Sequence, residues 1–252
     1  MKSHFLKKTT TLVLGLLAVV YSSHVYGDYD EVRRDVARCR TVTEGQVELQ
    51  AAVNRVVDGD TVNILVEGEG ISVRLLSIDT AETHYQGKSQ GYWGEEAANR
   101  LKKLLPVGTS VRVEFEHDRC DMYGRILGHI WKGDTNMNRK MIEEALAVNY
   151  CIVPNTNHCE EYGDITDQNI VEASGIFGDP DFVLPYEWRR IVSNRPYEKY
   201  LGNLDTHEVY PPRPDTLDRV PVGLRVFFFK KSDIKLPYHL VEDDDSSDVT
   251  TN

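Results

Sequence analysis

Three short stretches of the chain gather acids, hydroxyls and arginines at the ends of apolar runs. RVVDGDTV supplies Asp58, Asp60 and Thr61; RLLSIDTAET supplies Arg74, Asp79, Thr80 and Glu82; DRCDMYGRILGHIW supplies Asp121, Tyr123 and Arg125. Singly, each has an ordinary explanation. DGD is a good turn sequence, the glycine of YGR suits a bulge, and a glutamate after a strand is commonly a surface charge. Together they make a chemical set. Asp60 and Asp79 are hard oxygen donors of the kind that hold calcium or magnesium, with backbone carbonyls and water completing the shell. Arg74 and Arg125 present rigid donor forks matched to phosphate oxygens, and Glu82 can take a proton from water. A metal and two guanidiniums to neutralise a phosphoryl group, with a carboxylate to activate the nucleophile, is equipment for hydrolysing a phosphodiester.

The elements that must position this set are mostly strands. QVELQAAVNRVV, TVNILVEGEG, ISVRLLSID, SVRVEFEHD and GHIWKGD are short, rich in Val, Ile and Leu, and punctuated by DGD, GEG and VGT. GEG between two such runs reads as a hairpin turn. Three segments read as helices. GYWGEEAANRLKKLL puts Ala97, Leu101, Leu104 and Leu105 on one face, with acids first and lysines later as the helix dipole prefers. NRKMIEEALAVNY places Met141, Ile142, Ala145 and Leu146 similarly, and GDITDQNIVEASG is a weaker third that Gly175 can stop. Five strands interleaved with three helices predict an α+β fold, a five-stranded OB-type barrel with the helices packed on it.

The ends read differently. MKSHFLKK followed by TTTLVLGLLAVVY and SSHVYG is the pattern of a cleavable secretory signal over residues 1–27, cut after Gly27. The rival, a retained membrane anchor, is disfavoured because the apolar core is short of ~20 residues. Residues 28–46 form a polar lead-in with room for a short helix. From Arg190 onward the chain turns proline-rich in YPPRPDTLDRVP, apolar in VGLRVFFFKK, which could add a strand, and acidic in EDDDSSDVTTN. Residues 191–252 therefore read as an extension packed on the domain, with a disordered acidic end. Export, to a periplasm or the outside, gives Cys39, Cys120, Cys151 and Cys159 a meaning: an even set in an oxidising compartment implies two disulfides. Of the three pairings, spacing favours Cys151 with Cys159 and Cys39 with Cys120; a zinc site on His158 and Cys159 is the competing reading. The formal charge is −11, so nucleic acid is repelled at long range, and any polyanion must be gripped locally by placed cations or a metal.

In this order and rough spacing, DGDTV, RLLSIDTAET and DMYGRILGHIW resemble the signature of the staphylococcal nuclease (thermonuclease) family: DGDT, then RL-x-x-(V/I)DTPET, then D-x-YGR. The resemblance continues through MIEEALAVNY and the closing SGIFGDPDFVLPYEWRR, similar to the end of exported bacterial members, and covers residues 47–190. It implies a calcium-dependent nuclease, with magnesium the less favoured ion, acting as a monomer on DNA and RNA and leaving 3′-phosphates and 5′-hydroxyls. Residue by residue, it implies that Asp60 and Asp79 hold the ion, that Thr80 adds a backbone carbonyl, and that Asp58 stands behind them. It makes Glu82 the general base, Arg74 and Arg125 the phosphate-binding arginines, and Tyr123 a neighbour of the bound phosphate. Ala81 departs from the proline of DTPET, which removes backbone stiffness but no functional group. Met122 stands where some members carry a phosphate-contacting lysine. Only Tyr150, in NYCIVP, answers to a pair of base-stacking tyrosines. The alternative function is a nuclease-like barrel that binds nucleic acid or protein without cutting; the complete acid and arginine set argues against it.

Overall fold

The computed structural model describes residues 29–241. The segment read as a secretory signal, residues 1–27, and the acidic end from residue 242 lie outside the described residues. The lead-in is longer in its helix than the sequence suggests: α1 covers residues 29–43. Strands β1 (Glu48–Val56), β2 (Thr61–Val66) and β3 (Glu69–Leu75) form a meander, β5 (Ser110–Glu114) returns to pair with β1, and β6 (Ile126–Lys132), which carries the short β7 (Thr135–Asn136) at its end, follows β5. The antiparallel order is β3-β2-β1-β5-β6, and a parallel β3–β6 pairing, Val73 opposite Ile126, completes the barrel. This is the expected five-stranded OB-type barrel in an α+β fold. Alternation fills it: Val62, Ile64, Val73, Leu75, Val113, Ile126 and Ile130 point inward with almost no exposure. The hairpin turn falls on Glu67 and Gly68, at positive φ (54° and 86°) as a tight hairpin needs, so Glu69 and Gly70 of GEG already belong to β3.

Helix α2 (Tyr92–Leu104) buries Ala97, Ala98 and Leu101, with Glu95 in its first turn and Lys102 and Lys103 in its last. Helix α3 (Met137–Glu143) begins on an Asn136 cap that accepts from the Arg139 N–H at 3.1 Å. It is half as long as the sequence pattern suggests. Ala145 at φ 50° ends it, and Ala147–Asn149 becomes strand β8, paired with β4 (Ile78–Thr80). Apolar periodicity cannot separate a buried helix turn from a short buried strand, and here the free edge of β4 selects the strand. Helix α4 (Cys159–Val171) starts earlier than expected and packs across β8. Both disulfides form, Cys39–Cys120 and Cys151–Cys159. The first ties α1 to the loop before β6.

The C-terminal part contributes β10 (Tyr200–Asn203), β11 (Glu208–Tyr210), β12 (Arg225–Phe228) and β13 (His239–Leu240) to a second sheet with β9 (Cys151–Ile152), in the order β13-β11-β10-β12-β9. Its link to the barrel domain is the parallel pairing of β12 with β9. Helix α5 (Pro185–Val192) bridges the two parts and crosses the boundary drawn at residue 190. Among the described residues, no helix is long and apolar enough to cross a membrane.

On the outer face of β6, under the start of α4, His129 has no exposure. Its Nε2 lies 2.7 Å from Glu116 Oε1, and the Tyr162 hydroxyl is 3.3 Å from Nδ1. The His158 ring packs beside it at 4.4 Å. Burial lowers the His129 pKa from 6.5, outweighing the pull of Glu116, so the neutral ring donates Nε2–H to Glu116 and accepts from Tyr162. The unfolded chain takes up a proton at the ordinary histidine value and the folded chain does not. Stability is therefore complete above pH 6.5 and falls as pH drops toward the lower folded value. Melting temperature measured from pH 8 to 5 should show this loss, and His129→Gln should flatten the slope; equal slopes would exclude the account.

Candidate active site

The DGD turn between β1 and β2 is pressed against the DTAE segment. A side chain on Gly59 would meet Thr80 Oγ1 at 2.6 Å and the Ala97 side chain at 2.7 Å, so only glycine lets the turn approach. That approach puts Asp60 under β4. Asp60 Oδ2 accepts from the Thr80 N–H at 2.9 Å and from its hydroxyl at 3.0 Å, and the Asp60 carbonyl accepts from the Leu75 N–H at 2.8 Å. The bend at Leu76 and Ser77, where Ser77 takes φ 62°, turns the chain from β3 into β4. Asn138 of α3, fully buried, holds the bend by donating to the Leu76 carbonyl at 2.9 Å.

Arg74, at the end of β3, lies between the two aspartates. Its Nη2 is 3.0 Å from Asp79 Oδ1 and 3.3 Å from Asp60 Oδ2, while Nη1 donates to the Leu75 carbonyl at 2.8 Å. Asp79 has no exposure. Glu82 follows β4 on a segment clamped by Gln90, which donates its N–H to the Glu82 carbonyl at 2.8 Å and accepts the Glu82 N–H at 3.1 Å. Gln90 is a positioning residue that the sequence reading missed.

A larger omission is Arg189. This α5 residue forks onto Asp79, Nη1 to Oδ1 at 2.9 Å and Nη2 to Oδ2 at 2.8 Å, and reaches Glu82 Oε1 at 2.6 Å. Its only sequence signal was the closing PYEWRR of the resemblance, where two adjacent arginines on a short helix look like solvated charge. The cluster is thus Asp60, Asp79 and Glu82 around Arg74 and Arg189. Burial raises the Asp60 carboxyl, but Arg74, the Thr80 donors and Arg189 together carry it below the ordinary value. Burial raises Glu82 more than Arg189 lowers it, so Glu82 sits above the ordinary glutamate value. Asp58, whose Oδ1 accepts from the Asp60 N–H at 3.1 Å, is pushed up to about 7 by burial and then by the Asp60 charge.

The third stretch lies close by but is not bonded into the cluster. Leu127 pairs with Arg74 across the β3–β6 seam, and Arg125 lies two residues before it, just ahead of β6. Its Nε donates to Asp121 Oδ2 at 2.7 Å, and its guanidinium lies 5.8 Å from the Tyr123 ring, which is largely exposed. Gly124, at φ 81°, lies against α1: a side chain there would strike the Asp35 backbone at 2.4 Å. The lead-in helix therefore buttresses the YGR turn. Tyr150 lies 5.9 Å from the Arg189 guanidinium and stacks one face on Tyr186 at 5.3 Å.

Among the described residues, no group of three or more His, Cys, Asp or Glu side chains stands together as a ready metal site. The donors that do meet, two aspartates beside the backbone of Thr80, are all hard oxygens. The three acids outnumber the two guanidiniums, which fits a hard divalent cation in charge and in chemistry.

The fold and this cluster define an OB-type barrel with an acid–arginine centre at the end of β3. Residues 72–173 match the family model for staphylococcal nuclease homologues. The thermonuclease of Staphylococcus intermedius is 35% identical over 145 residues, 56% of this chain and 81% of that protein. Endonuclease YhcR of Bacillus subtilis is 29% identical over 200 residues, and endonuclease YncB of the same organism 32% over 116 residues. Those alignments take in 74% and 45% of this chain, but only 16% of YhcR and 54% of YncB. The chain belongs to the staphylococcal nuclease family.

Arg189→Ala leaves a fully buried carboxylate with one guanidinium in place of two. Loss of a partner from a buried pair costs about 3–5 kcal/mol; because the Arg189 side chain keeps 22% exposure, about 2–4 kcal/mol is expected in urea unfolding. Arg189→Lys should recover only part of this, since an ammonium cannot fork. A loss under half a kcal/mol would exclude the coupling.

Proposed function

We propose that the protein is an exported, divalent-metal-dependent nuclease that hydrolyses phosphodiester bonds of DNA and RNA with little sugar specificity. Its products carry 3′-phosphates and 5′-hydroxyls. The observation that carries this reading is the convergence of Asp60 from the DGD turn with Arg74, Asp79 and Thr80, and of Glu82 through Arg189, into one bonded cluster. Its family relatives named thermonuclease and endonuclease support the same activity. Two disulfides support an oxidising compartment.

Asp60, Asp79 and the Thr80 carbonyl would hold the divalent ion, calcium before magnesium. Such an ion supplies charge neutralisation at a phosphoryl oxygen. The chain's own groups do the rest. Arg74, held in orientation by the Leu75 carbonyl, offers its outer N–H groups to a non-bridging oxygen, and Arg125 approaches from the neighbouring strand when it leaves Asp121. Glu82, raised in basicity by burial, accepts the proton of a water whose oxygen bonds to phosphorus. The bond from phosphorus to the 5′ oxygen breaks, and that oxygen leaves as a hydroxyl after taking a proton from solvent water, while Glu82 later returns its proton to solvent. Guanidinium placement matters because the charge develops among largely buried side chains.

One observation favours a second reading, a barrel that binds without cutting: Arg189 already covers Asp79 and Glu82. The two readings separate in one experiment. Purified full-length protein should cut plasmid and RNA, lose activity in EGTA and regain it with calcium, and end-group analysis should find 3′-phosphates. Arg74→Ala should lower turnover about 10²–10³-fold, and Glu82→Ala about 10²–10⁴-fold, with melting unchanged enough to show a folded chain. Binding of DNA with no metal-restorable cleavage would favour the second reading, and an Arg74→Ala variant as active as wild type would overturn the first.

A further inference from the structure

Arg189 of the cluster also lines a cavity of about 140 Å³ walled by α5 and the segment after it. Five cationic side chains and only two acidic ones line it, a local excess of positive charge in a chain whose formal charge is −11. Aromatic rings alternate with these charges. The Arg190 guanidinium lies 4.1 Å from the Tyr197 ring, and the Tyr197 hydroxyl and Arg190 Nε share Glu187 Oε2 at 3.2 and 3.1 Å. Glu187 thus spends its charge on fixing this pair. Arg195 and Lys199 also line the wall; Arg195 is exposed and Lys199 partly so. Tyr150 also lines the cavity, 5.9 Å from the Arg189 guanidinium and stacked on Tyr186. Every one of these cations is outside residues 72–173, the part that matches the family model.

We propose that this cavity is a nucleotide subsite: it takes a phosphate and base of a single strand on one side of the bond that is cut. The inference rests on the nuclease reading for its purpose, and on its own geometry for binding. Three features point to this ligand class. Forked guanidiniums match phosphate oxygens. Tyrosine rings beside them give an unstacked base a platform that no paired base can reach. An acidic chain that is repelled by polyanions at a distance needs its cations concentrated where the strand passes. Arg189 joins the two sites, because the same residue bonds Asp79 and lines the cavity.

The test is fluorescence anisotropy with the full chain and a labelled, phosphorothioate-linked oligothymidylate in EDTA, over a range of salt. Arg195→Ala combined with Lys199→Ala should raise Kd about tenfold. It should also reduce the salt slope by about 1.4, since each phosphate contact on a single strand contributes about 0.7. Tyr197→Ala should weaken binding several-fold without changing the slope, and Tyr197→Phe should restore it. Arg112→Ala, on β5 away from the cavity, should leave Kd unchanged, and circular dichroism and melting should show all variants folded. An unchanged Kd and slope in the double variant would overturn the subsite. So would duplex DNA or polyglutamate competing as well as the single strand. Pocket-dependent binding by a protein that cuts nothing would uphold the subsite and sink the nuclease reading instead.

Discussion

A carboxylate without solvent contact organises this molecule. Asp79 receives three guanidinium hydrogen bonds, one from Arg74 and two from Arg189, and each donor comes from a different part of the chain. Arg74 belongs to the barrel, at the seam where β3 meets β6. Arg189 belongs to the helix that leads into the second sheet. Taking a charge out of water costs several kcal/mol unless it is paired and hydrogen-bonded, so the demand of one side chain adds to the β12–β9 pairing in holding the barrel domain and the C-terminal part together. The Asp60 carboxylate repeats the device on a smaller scale, joining the first hairpin to β4 through Thr80.

The C-terminal part is consequently more than an appendage. Its strand β12 continues β9 in parallel register, its Phe227 closes over Tyr150 and Tyr186, and buried Arg225 anchors the layer by donating to the Val220 and Leu217 carbonyls and to the Tyr186 hydroxyl. These contacts orient α5 and so aim Arg189. A charged cluster positioned by strands and a helix is held more rigidly than one built on loops alone, which suits groups that must meet a phosphate with little adjustment.

Charge follows the same economy. The surface as a whole is acidic, yet guanidiniums gather around the carboxylate cluster and along α5. Long-range repulsion and local attraction then act at different distances, because salt screens the first over roughly 8–10 Å while hydrogen-bonded forks work in contact.

Much of this could be read from residue order. Strand alternation with DGD, GEG and VGT punctuation sufficed for the barrel, because a half-buried strand must alternate and a tight turn must carry its glycine. The motif residues Asp60, Arg74, Asp79, Thr80 and Glu82 stood out because acids and an arginine at strand ends need a reason to be there. Arg189 did not stand out, since PYEWRR on a short helix differs in no local property from a solvated face; only the distance in space to Asp79, 110 residues away in sequence, makes it part of the site. The split of MIEEALAVNY into helix and strand was likewise beyond local pattern, because the deciding partner was the open edge of β4. Local chemistry determined which groups were present and which elements they could form. Tertiary structure decided which charges met, because burial and pairing are properties of neighbours in space, and neighbours are chosen by the whole fold.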